Sequence, residues 1–69
     1  MDTVEGVNRV IHFAELSVSG MRSANASILE IDGELEDADL RETVNQNEIL
    51  ITSYANGIAQ LQEIVLELR

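Results

Sequence analysis

LRETVNQNEILITSYANGIAQLQEIVLEL, residues 40–68, carries a seam. Leu40, Val44, Asn47, Ile51, Tyr54, Ile58, Leu61, Val65 and Leu68 follow one another by alternating fours and threes, and only Asn47 is not apolar. Steps averaging 3.5 hold one stripe of an α-helix against a partner helix, whereas a strand needs alternation every two residues. Asn56-Gly57 would ordinarily mark a stop. The stripe continues beyond it, so the helix is read straight through at a cost of about 1 kcal/mol for the glycine.

Upstream, Asp2-Thr3-Val4-Glu5 has the form of a capping box and sets a helix start near residue 3. From there Val4, Val7, Ile11, Ala14, Val18, Met21, Ala24, Ile28, Ile31 and Leu35 form an apolar frame with one irregularity, two successive steps of three at Met21. Such a stammer overwinds a supercoil locally. The same neighbourhood, Ser17 to Ser27, is rich in weak helix formers, and the apolar frame outweighs them. Between the two frames Gly33 can supply the positive φ that closes a helix, and Asp39-Leu40-Arg41-Glu42 repeats the capping box. The expected fold is therefore all-α: a two-helix antiparallel, coiled-coil-like hairpin. It is a single domain over residues 1–69, with helices at about 3–31 and 39–68 and an acidic turn at about 32–38.

A chain of 69 residues has little interior. Domains below roughly 70–80 residues generally need disulfides, a metal, oligomerisation or very regular helix packing. Cysteine is absent and there is one histidine, so the expectation is a hairpin completed by oligomerisation or by a partner helix, with no cofactor. Thirteen acidic residues against four arginines leave a net charge of −9. A surface so charged repels phosphate backbones and anionic lipid, which argues against direct nucleic-acid or membrane partners. The longest apolar runs are too short to span a bilayer and no signal-peptide pattern opens the chain. A cytoplasmic location is expected, although export without a cleaved signal leaves no trace in sequence.

Chemistry-bearing residues are sparse. His12 with Ser17 or Ser19 suggests a base and a nucleophile, but a two-helix chain offers no shielded pocket for an oxyanion, and no enzyme is expected. Seven of the thirteen residues from Glu30 to Glu42 are acidic. Their spacing does not fit an EF-hand, whose glycine at loop position 6 would make Ile28 the first ligand, so no metal site is expected. Asn47, alone in an apolar seam, is the candidate register-setting residue; the alternative is a wet position near the end of the hairpin.

The apolar residues outside the seams say most about partners. Leu50 and Ile64 widen the second seam, with Ile49 and Leu66 behind them. In the first helix Val10 lies beside the seam and Phe13 and Leu16 lie on the far side. These seven are the candidate partner-binding residues, because a two-stranded pairing covers only the seam itself. The expected function is a non-enzymatic protein-binding helical module, a small assembly partner or chaperone-like subunit working through helix packing in a homo-oligomer or hetero-complex. The alternative is an acidic inhibitor, a nucleic-acid mimic or antitoxin type encoded by a phage, that covers a basic surface of its target. In shape alone the hairpin resembles small partner proteins and chaperones of bacterial secretion systems. It also resembles the ESAT-6-like hairpins in shape, but their Trp-x-Gly turn is absent, with Ile31-Asp32-Gly33 its nearest counterpart, so no family follows.

Overall fold

A computed structural model of the chain describes residues 2–69. Two α-helices, α1 (Thr3–Ile31) and α2 (Ala38–Leu68), pack side by side into a rod of 48 × 16 × 13 Å. Both lengths follow from local signals. The Asp2 carboxylate accepts the Glu5 N–H at 2.8 Å and opens α1, and no proline interrupts either helix. Through Gly57 the α2 helix is continuous.

The turn departs from the expected chemistry. Gly33 does not adopt a positive φ; Leu35 does, at 53°. Asp32 closes α1 by donating its N–H to the Ile28 carbonyl, and its carboxylate gathers the N–H groups of Glu36 at 3.2 Å and Asp37 at 2.8 Å. Those bonds dictate the path of residues 33–37, and the Leu35 N–H returns to the Asp32 carbonyl. Gly33 is instead a site of close approach, since a Cβ there would lie 3.3 Å from the Leu29 carbonyl oxygen. Nor does Asp39 cap α2. Asp37 does, accepting from the N–H groups of Asp39 and Leu40, which starts the helix one residue before the expected position. The reason is geometric: an N-cap oxygen reaches the N–H groups two and three residues ahead, and Asp32 has already fixed Asp37 in extended backbone.

The larger correction concerns the seam of α1. Ala24 and Ile31 do not belong to it: Ala24 is exposed and Ile31 is 78% exposed. Asn25, only 9% exposed, takes the inward place. The residues that turn inward are Val4, Val7, Ile11, Ala14, Val18, Met21, Asn25 and Ile28, which step by three and four without a slip, so the stammer disappears. The cause lies on the other helix. Asn47 donates its Nδ2–H to Asn25 Oδ1 at 2.9 Å, so a polar residue fills a seam position where apolar content alone had selected its neighbour.

With Asn25 opposite Asn47, the two frames run antiparallel in one register. Extending it sets Ile28 against Val44, Met21 against Ile51, Val18 against Tyr54 and Ile11 against Leu61. The core is thin. Among the described residues Ile11, Val18, Val44 and Val65 are the buried apolar ones and no large side chain is wholly enclosed, and Tyr54 and Leu68 stay half-open at their seam positions.

Candidate functional site

Each seam has two flanks, and the sequence treats them differently. On one flank stand the residues that follow a seam position, among them Glu15, Arg22 and Leu29 of α1 and Glu48, Gln62 and Arg69 of α2. Shallow grooves lined from both helices place these together: Arg22 and Leu29 with Glu48 in one, Asn8 and Glu15 with Gln62 and Arg69 in another. That side is mixed and charged.

The opposite flank holds the residues that precede a seam position, with those one turn beyond. On α1 these are Thr3, Gly6, Val10, Phe13, Ser17, Gly20, Ala24, Ser27 and Ile31; on α2 they are Asp39, Thr43, Gln46, Leu50, Ser53, Gly57, Gln60, Ile64 and Glu67. Asp39 and Glu67, at the two ends of the α2 stripe, are charged; none of the others is, in a chain that carries seventeen Asp, Glu, Lys and Arg residues. Antiparallel pairing brings the two stripes to the same side of the rod, because the flank that leads one seam faces the flank that leads the other. The result is an uncharged face running most of the length of the hairpin, on which Phe13 is 64%, Val10 54%, Leu50 46% and Ile64 43% exposed.

Four of the seven candidate partner residues, Val10, Phe13, Leu50 and Ile64, therefore share one face. Leu16 lies farther round the back of α1. Ile49 sits on the outer side of α2 near Asn45, Glu48 and Thr52, and Leu66 joins the charged flank beside His12, Glu15 and Arg69. Ile31, a member of the apolar frame expected from sequence, is exposed and lies on the uncharged face. The small residues at its middle, Ser17, Gly20 and Gly57, were also missed. A second three-four periodicity, defined by absent charge and not by hydrophobicity, was the available signal.

The chemistry-bearing side chains are dispersed. His12 is exposed, with its ring centroid 6.2 Å from that of Phe13. Ser19 lies seven residues on along the same helix, about 10 Å away at 1.5 Å per residue, and Ser17 is on the opposite flank. Neither reaches the imidazole. Among the described residues no three His, Cys, Asp or Glu side chains are grouped as a metal site, and none of the helices is long and apolar enough to cross a membrane. In the acidic turn Asp32 and Asp37 spend their carboxylates on backbone N–H groups. The Asp32 carboxyl is held below its usual range, first by the Asp37 N–H and then by that of Glu36. Comparison with protein-family models, with curated proteins and with solved structures finds no match for this chain.

Proposed function

We propose that this chain is a non-enzymatic protein-binding module that works through helix packing, as a small assembly partner or chaperone-like subunit. One observation supports it above the others: among the described residues eleven large apolar side chains are exposed and four apolar side chains are buried. Scattered apolar surface is ordinary in a folded protein, but here several of those residues line one uncharged face. Burying each contributes about 1.5–3 kcal/mol, so losing two or three decides whether a complex forms at micromolar concentration.

Phe13→Glu with Leu50→Glu tests the reading against Glu63→Gln as a control. Light scattering gives the mass of each variant, and affinity capture from the source cells gives its partners. The double variant is expected to keep its helical circular dichroism while losing its self-association or its captured partner. A wild-type chain that is a monomer and captures nothing overturns the proposal.

The acidic-inhibitor alternative draws on the seven carboxylates of residues 30–42, gathered at one end of the rod. It requires binding that collapses with added salt, whereas packing through the uncharged face is salt-tolerant.

A further inference from the structure

We infer that the uncharged face is a self-complementary interface on which a second copy of this chain packs, related by a two-fold axis at right angles to the helices, to give an antiparallel four-helix bundle. This rests on the protein-binding reading above and names the partner.

The first support is area. The hairpin exposes 5063 Å², whereas a compact monomer of 7.6 kDa exposes about 4,300 Å². The surplus is close to the ~800 Å² that each partner buries in an interface of standard size.

The second is the order of large and small residues. An isologous interface must match itself after a half-turn. The α1 stripe does so about a point between Ser17 and Gly20: Phe13 meets Ala24, Val10 meets Ser27, and Ile31 meets Gly6. Each bulky side chain falls on a small one. The α2 stripe does the same about a point between Ser53 and Tyr54, where Leu50 meets Gly57 and Ile64 meets Thr43, with the Gln46 and Gln60 amides near the same level to within a residue. The two centres coincide, since the Asn25–Asn47 register sets Val18 opposite Tyr54. One axis serves both helices.

The third is the glycines. Gly20 and Gly57 lie inside helices, neither has a positive φ, and a Cβ on either would meet nothing within 4 Å. Nothing within the hairpin requires them. A second backbone or side chain arriving at that level does, and glycine permits the closest approach.

The fourth is charge. This axis puts the two acidic turns at opposite ends of a 48 Å rod, several screening lengths apart, whereas an axis along the rod would set them side by side.

Sedimentation equilibrium at micromolar concentration is expected to give twice the 7.6 kDa chain mass. Gly57→Leu separates this interface from a free surface. On a free surface leucine improves the helix and leaves the mass unchanged. In the bundle it displaces Leu50 of the second copy, and the dimer Kd rises about tenfold or more. Leu50→Ala alone also weakens the dimer, and combining it with Gly57→Leu moves the knob to the other side of the pair and restores the Kd. A wild-type monomer overturns the inference, and if that monomer still captures a host protein through Phe13 and Leu50, the binding-module reading survives without it. A dimer indifferent to Gly57→Leu overturns the proposed face.

Discussion

Asn47 changes meaning once Asn25 is seen opposite it. A lone polar residue in an apolar seam predicts that Asn47→Leu gains stability. With the Nδ2–Oδ1 bond in place the sign reverses, because Asn25 is then left buried beside a hydrocarbon. Leaving one amide unsatisfied costs about 1–3 kcal/mol, so Asn47→Leu is expected to lower the urea midpoint. Replacing both, Asn25→Leu with Asn47→Leu, removes the penalty and recovers or exceeds wild-type stability. The double variant also loses the one polar layer that distinguishes this register from a slip of seven residues. Crosslinking between cysteines placed at paired seam positions reads that loss as mixed products.

At the scale of the element, the turn depends on one carboxylate. Asp32 is held below its ordinary value of 3.8 by backbone N–H groups that exist only in the folded turn. A carboxyl with a depressed folded pKa stabilises fully above its unfolded value and loses that contribution as pH falls through the folded one. Thermal midpoints measured downward from pH 5 are therefore expected to carry a loss that begins near pH 4. In Asp32→Asn, which cannot ionise, that component is absent. An identical acid profile in both proteins would remove Asp32 from the account of the turn. The helices themselves owe little to such bonds, since their length and the continuous seam do most of the stabilising.

Across the whole molecule, charge works against compaction. Nine net negative charges on a rod with a thin core repel one another, and the seven acidic residues near the turn concentrate the effect. Raising sodium chloride from low to physiological concentration, where the screening length is about 8 Å, is expected to raise the melting temperature. Calcium at matched ionic strength should add nothing further, since the turn carboxylates of Asp32 and Asp37 already serve the backbone. A saturable rise specific to micromolar calcium would reveal a metal site in the turn.

Much of this was legible in the sequence because it is local. Seam periodicity, the Asp2 cap and the absence of proline set two helices with ends close to those observed, and the acidic segment between them marked the turn. Tertiary structure alone decided what depends on the facing helix. Ala24 and Asn25 are one residue apart and both lie near the seam, so hydrophobicity favoured alanine; the amide opposite, on Asn47, selected Asn25 and turned Ile31 outward. The same register joined two half-faces into one. Neither stripe of uncharged residues is a surface until the helices are set antiparallel, because a face shared by two helices is a property of their pairing and not of either sequence segment.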